Sequence, residues 1–456
     1  MNSGISVTQI RDKGHIFLLI AMLFVAGIMP MYLLCPILIV LFGLMLGILI
    51  ISVFSPEDFN FLFTIYAIGF VVRIFASCFF YIFSFTLRGN HSPGFIFPND
   101  GWSYSQQGWQ IFKFAERGIK VTIENFIRDP NMFVVGACSG NITTYDFFAS
   151  YVYSITGYSP LSLFFISSLA GSMAALFIYL ITKELFSKRV ARISALFAFF
   201  WPSFILWSTQ NLKEPMIAVF IFILLWSLFY AYRHLAPGFL LFSIISVLVL
   251  LEIGMPYLAI IVSMTFFVSL FLFINYLSKS KLITILIVSF LCVISFIVLR
   301  DRVLSFIFEK SDYIMKQESV WEFLNYHRNV RAYGRLQFLK GIDISSAGKA
   351  IVFAPLGLLF VIFAPFPWQL GSVMQVMAVP ETILFYILIP FTIKGIVFSY
   401  RKRFNQSFLL LSIIFGLFLF LALVEGNSGT LFRHRSIAFY LVFMFTAEGL
   451  SLKNEK

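Results

Sequence analysis

Apolar residues run through this chain in blocks too long for a soluble core. From His15 to Phe54 there are 40 residues with no charge after His15. A membrane-crossing helix needs about 20 apolar residues, so this block predicts a helical hairpin with Pro30 near its turn. Further runs follow at 61–85, 160–182, 193–209, 215–232, 238–251, 256–277, 282–299, 350–366, 381–400, 407–424 and 436–450. Polar stretches at 86–159 and 300–349 interrupt them. Within the first, Trp102–Glu116 places Tyr104, Gly108, Ile111, Phe112 and Ala115 along one side at helical spacing. Ile142–Ile155, with Phe147, Phe148, Tyr151 and Val152, reads likewise. Both segments read as helices lying at the membrane surface or packed onto the bundle.

Composition fits this pattern. Hydrophobic residues make up 60% of the chain and charged residues 12%. Soluble domains carry about 25% charge, so a soluble domain is excluded, and so is a disordered chain. The expectation is an all-α integral membrane protein with roughly nine to twelve crossings and two long outer loops. The formal net charge is +12. Such an excess in a membrane protein reports topology and contact with anionic lipid, not nucleic acid. With Arg11 and Lys13 inside, 15 cations fall in inside segments, among them Lys183, Lys188, Arg189, Arg192, Arg233 and Arg401–Arg403. Short outer turns hold three: Lys213, Arg433 and Arg435. One crossing does not close. With 300–346 outside, a single pass at 350–366 would leave Arg401–Arg403 outside. Either 350–366 is re-entrant, or the chain crosses back near Pro365-Phe366-Pro367-Trp368, or an earlier span differs. Cys35, Cys78 and Cys292 lie in apolar runs and Cys138 sits alone in a loop, so no disulfide framework or zinc site is expected.

The chemistry then narrows. There is no P-loop, no HExxH, and no Asp-x-Asp pair to hold a metal against a nucleotide diphosphate. Pro98-Asn99-Asp100-Gly101-Trp102-Ser103-Tyr104 follows the 61–85 run. Asp100 at a water–membrane boundary can take a proton from an acceptor hydroxyl; Asn-Asp-Gly is also a turn and helix-start sequence. Lys213-Glu214-Pro215 opens the 215–232 run. Glu214 and Pro215 suit a helix start, whereas Lys213 is unusual in an outer turn. Glu425-Gly426-Asn427-Ser428-Gly429-Thr430-Leu431-Phe432-Arg433-His434-Arg435 packs charges and glycines between two apolar runs. Arg433 and Arg435 beside a Gly-rich turn suit a phosphate; an ion-paired loop holding two helix ends is the other reading. Arg73 lies inside the 61–85 run, where an arginine costs about 2.5–3.5 kcal/mol or more to insert. It therefore needs a partner or a wet cavity.

These pieces resemble the C-type glycosyltransferases, polytopic enzymes that use polyprenyl-phosphate sugars, in the branch of protein O-mannosyltransferases and aminoarabinose transferases. The likeness runs over about 61–232. It comprises the Arg-containing Ala67–Phe75, Asp100 and Tyr104, then Tyr158-Ser159-Pro160-Leu161, Gly171–Tyr179, Thr182 to Ala191, Trp201-Pro202-Ser203 and Leu212-Lys213-Glu214-Pro215. Asp100 matches the position of the family's catalytic aspartate, although its neighbours Asn99 and Gly101 differ from the usual pattern. With the hydrophobic pattern, the resemblance gives an N-terminal hairpin (1–59), a transferase-like core (60–299) and an outer loop with a variable C-terminal module (300–456). It implies Asp100 as base and Arg433, Arg435 and Lys213 on the donor phosphate; Arg73, Tyr104, Glu214, Asn427 and His434 are the accessory candidates. It implies inversion without a metal or other cofactor, a lipid-linked sugar donor, and a glycan, lipid or protein acceptor. The site would face outward from a bacterial cytoplasmic membrane. A repeat-unit polymerase using lipid-diphosphate oligosaccharides and, in another class, a lipid-linked sugar flippase are the alternatives.

Overall fold

The computed structural model describes residues 31–88, 100–119, 142–234, 236–253, 320–332, 341–366 and 373–452, with residues 339 and 368. The first arm of the expected hairpin and the runs 256–277 and 282–299 lie outside the described residues. Among the described residues the chain is helical and contains no β-strand. Six helices are long and apolar enough to cross a membrane, or seven if a bent pair counts as one span. The protein is an all-α integral membrane protein.

Helix α1 (Met31–Phe54) and α2 (Phe59–Arg88) come first, followed by α3 (Asp100–Glu116) and α4 (Thr144–Thr156). The centre of the molecule is α5 (Pro160–Leu185), which is buried around its whole circumference. Pro160 starts it, in the first turn where a missing N–H costs nothing. Then come α6 (Lys188–Phe200) and α7 (Pro202–Ser208), which meet at a 53° bend. Pro202 cannot continue the hydrogen-bond ladder of α6, so the carbonyls of Ala198 and Phe199 lose their helical partners. Arg73 supplies the substitute. Its guanidinium is fully buried and donates to the carbonyls of Phe199 (2.9 Å), Ala198 (3.3 Å) and Gly69 (3.0 Å), and to Ser208 Oγ (3.0 Å). This arginine therefore ties α2 to a broken helix.

The remaining elements are α8 (Glu214–His234), α9 (Leu240–Ile253), α10 (Val320–Arg331), α11 (Ala347–Phe363), α12 (Val373–Lys402), α13 (Phe404–Val424), the short α14 (Ser428–His434) and α15 (Ser436–Ser451). The largest core cluster runs from Ile51 to Ala447, so the C-terminal helices share one core with the rest. α12 and α15 cross at glycine on both sides. A Cβ on Gly395 would overlap the Phe445 carbonyl, and one on Gly449 the Phe391 carbonyl.

Charge marks the two ends of the bundle. At one end Lys183 pairs with Glu57 (2.5 Å), Lys188 and Arg192 with Asp58, Arg233 and His234 with Glu184, and Arg403 with Glu448 (3.0 Å). These are cations that the charge asymmetry places on one side. At the other end the starts of α3 and α8 meet the last turn of α14.

The 350–366 segment, where the crossing did not close, forms α11 up to Phe363. Near the start of α11, Ala350 and Phe353 pack with Leu423, at the finish of α13. At its other end, Phe360, Ala364 and Phe366 pack with Leu212 and Phe432, which also belong to that end of the bundle. The start of α11 thus packs with Leu423 and its finish reaches Leu212 and Phe432, while the Phe363 carbonyl accepts from the Tyr386 hydroxyl, well inside α12. The crossing that returns Arg401–Arg403 to the cation-rich end is α12.

Candidate active site

Asp100 is the first residue of α3, and Tyr104 follows one turn later. α3 lies against α4 because Gly108 leaves room: a Cβ there would sit 2.6 Å from Ala149 Cβ. Ser105 and Tyr153 share a hydrogen bond of 2.5 Å across the same contact. The two helices also pack on α5 through Leu163. The apolar side read from the sequence of α4 is corrected here. Tyr145, Asp146, Ala149, Val152 and Tyr153 are buried, while Tyr151 and Ile155 are exposed. Hydroxyl partners from α3 and the α7–α8 turn let Tyr145 and Tyr153 face inward, which hydrophobic periodicity does not register. Tyr145 donates to Asn211 Oδ1 (2.9 Å), and Asn211 donates in turn to the Gly101 carbonyl (2.9 Å). This chain of bonds locks the start of α3 to the turn before α8.

From that turn come Lys213 and Glu214. The 425–435 loop completes the cluster, with Asn427 capping α14 through the N–H of Gly429 (2.8 Å). Arg433 Nη2 lies 2.6 Å from Asp100 Oδ2, and its Nε lies 3.1 Å from Glu214 Oε1. His434 Nε2 is 3.2 Å from the same Glu214 oxygen, and Nδ1 is 2.7 Å from Glu425 Oε1. Glu214 and Glu425 are buried, whereas the Asp100 side chain is 43% exposed. Asp100 is therefore the solvent-accessible carboxylate of this cluster. Its Oδ1 has no partner among the described residues. Lys213 is half-buried, with Nζ 6.0 Å from the Tyr104 ring centroid, and forms no salt bridge among the described residues. Burial pushes its ammonium pKa down, although Glu214 opposes the shift. The Tyr104 hydroxyl is held well above its ordinary pKa, by burial first and then by Glu214 and Asp100. Burial also raises the Asp146 carboxyl to about 6, despite Oδ2 accepting from the Thr143 N–H (2.5 Å) and hydroxyl (2.7 Å).

Of the residues singled out from the sequence, Asp100, Tyr104, Lys213, Glu214, Arg433 and His434 converge. Arg435, Arg73 and Asn427 do not. Arg435 turns the other way because position 434, not 435, lies beside Arg433 in the last turn of α14. Its Nη1 donates to the carbonyls of Val361 (2.9 Å) and Ala364, and its guanidinium carbon lies 4.6 Å from the Phe432 ring centroid and 5.1 Å from that of Phe439. It lines a separate cavity of about 230 Å³ with Trp207, Phe432 and Glu381. Glu381 there accepts from Trp201 Nε1 (2.5 Å) and from the N–H of Ser203 (2.9 Å), capping the broken helix. Sequence reasoning missed Tyr145, Asp146 and Asn211. It named Glu425 only as part of its loop. The legible signal was the charge of Asp146 and Glu425 beside apolar runs.

Residues 144–299, about a third of the chain, match the dolichyl-phosphate-mannose-protein mannosyltransferase family. Over that segment the resemblance to enzymes using polyprenyl-phosphate sugars holds, and it supports a membrane glycosyltransferase. The match takes in Asp146, Lys213 and Glu214, and stops short of Asp100, Arg433 and Arg435. No curated protein and no solved structure matches the chain.

Proposed function

We propose that this protein transfers a sugar from a polyprenyl-phosphate donor to a hydroxyl of a glycan, lipid or protein acceptor, with inversion, at the outer face of the membrane. Asp100 takes the proton of the acceptor hydroxyl through Oδ1. The acceptor oxygen attacks the anomeric carbon in line, the bond from that carbon to the phosphate oxygen breaks, and the lipid phosphate departs. A phosphate leaving group needs charge neutralisation, not a proton or a metal. Lys213 is the residue to supply it, with Arg433 beside it. The observation that carries this reading is the contrast within the cluster. Arg433 and His434 are already matched by carboxylates, whereas Lys213 has no salt bridge among the described residues. An arriving phosphate would give that cation its missing counter-charge. Arg435, spent on backbone carbonyls and set apart, is left out of the clamp. The cations gathered at the opposite end support the outer face for this site.

Incubation of purified protein with defined polyprenyl-phosphate sugars tests the proposal. Sugar transfer or release of lipid phosphate is expected, and Asp100→Asn should abolish both while donor binding persists. Near-wild-type transfer by Asp100→Asn would leave Asp100 as a helix-start residue only. Turnover of lipid-diphosphate oligosaccharides in place of monophosphate sugars would assign a polymerase.

A further inference from the structure

We infer that Glu425 and His434 are positioning residues of this site: His434 works as an imidazolium that holds Glu214, and through it Arg433, in the register that presents Asp100. This rests on the glycosyl-transfer reading above. A neutral imidazole has one donor and one acceptor nitrogen, and an ionised carboxylate only accepts. Both ring nitrogens of His434 face carboxylate oxygens, Glu425 Oε1 at 2.7 Å and Glu214 Oε1 at 3.2 Å. Both contacts are hydrogen bonds only if both nitrogens carry hydrogen. The three side chains are at most 7% exposed, so water cannot stand in for a lost proton.

The result is a line of alternating charge: Glu425, His434, Glu214, Arg433, Asp100. Loss of the imidazolium proton leaves two buried carboxylates facing a neutral ring. Glu214 then draws harder on Arg433, the guanidinium it shares with Asp100, and the Asp100 carboxylate loses its anchor. The charged groups around His434 come from several elements: Glu425 after α13, Glu214 on α8, and Arg433 on α14. Lys213, Asp100 and Tyr104 lie beyond them, and Arg328 on α10 has its carbonyl against Gly426. The His434 pKa is raised accordingly: burial opposes the charge, and Glu425 and Glu214 outweigh it. Transfer should therefore fail as pH rises through that pKa.

Two readouts on the full-length protein in nanodiscs test this. One is the pH profile of single-turnover transfer. The other is nitrogen NMR of labelled histidine, with His434 assigned by its loss in His434→Gln; the chain has five histidines. Wild type should show both ring nitrogens protonated at neutral pH. Glu425→Gln should move the NMR titration and the alkaline limb together to lower pH by about one unit or more, the usual effect of removing an adjacent opposite charge. If Glu425→Gln does not fold, Glu425→Asp replaces it, with a smaller shift in the same direction. A rate that drops evenly with the limb in place would make Glu425 merely structural and overturn the inference. So would a limb that moves with Lys213→Arg and ignores Glu425. If wild type transfers nothing, the glycosyl-transfer reading falls, and a neutral His434 in the NMR titration would sink the positioning role separately.

Discussion

Replacement of Lys213 by methionine isolates the phosphate contact. Methionine keeps an unbranched apolar stem beside Tyr104 and removes the charge. No salt bridge of Lys213 exists among the described residues, so its loss orphans no buried carboxylate there. Glu214 keeps Arg433 at 3.1 Å and His434 at 3.2 Å. The fold should persist, with an unchanged melting profile. A charge-assisted hydrogen bond contributes about 1.5–3 kcal/mol, which corresponds to donor binding weaker by about tenfold to somewhat over a hundredfold. Lys213→Arg keeps the cation and should recover most of this. The assay is titration of polyprenyl-phosphate sugar into nanodisc-embedded protein, with free polyprenyl phosphate as a second titrant. Both ligands should lose affinity alike, because the contact is to phosphate. Binding within twofold of wild type would refute the assignment, and a loss confined to the sugar-bearing ligand would move Lys213 from the phosphate to the sugar.

Arg433→Ala should behave differently. It strips a buried cation from Glu214, a change that costs about 3–5 kcal/mol in comparable buried pairs, so melting should fall sharply, and Arg433→Lys should recover part of the loss without restoring the planar fork. Asp146→Asn should flatten a pH dependence of stability. The folded carboxyl sits near 6 against an ordinary 3.8, so its contribution is full below pH 3.8 and is lost as pH rises through about 6; melting at several pH values would show the wild type losing up to about 3 kcal/mol across that window and the variant losing little. Cysteines introduced at 100 and 428 should label from outside intact cells and one at 189 should not, whereas labelling of the first two only after permeabilisation would reverse the orientation.

Hydrophobic block length and charge placement are local properties of the chain, and they made the membrane class, most of the long helices and the gathering of cations at one end legible. Asp100, Lys213, Glu214, Arg433 and His434 stood out for the same reason: a charge beside an apolar run is costly enough to be visible without coordinates. Their grouping was a different matter. Arg433 and Arg435 are two residues apart, yet one meets Asp100 and the other turns to the carbonyls that end α11. Which way each points depends on helix phase and on neighbours remote in sequence, 71 and 74 residues away for Arg435. Arg73 needed a partner on energetic grounds, but only the break at Pro202 shows that the partners are unsatisfied backbone carbonyls. The unclosed crossing at 350–366 had three solutions of similar hydropathy. Only packing shows where each end of α11 goes, the start to Leu423 and the finish to Leu212 and Phe432. Block length and charge are written residue by residue. Which buried groups share a proton or a charge is set by distances of a few ångströms between remote segments, and only the folded chain determines those.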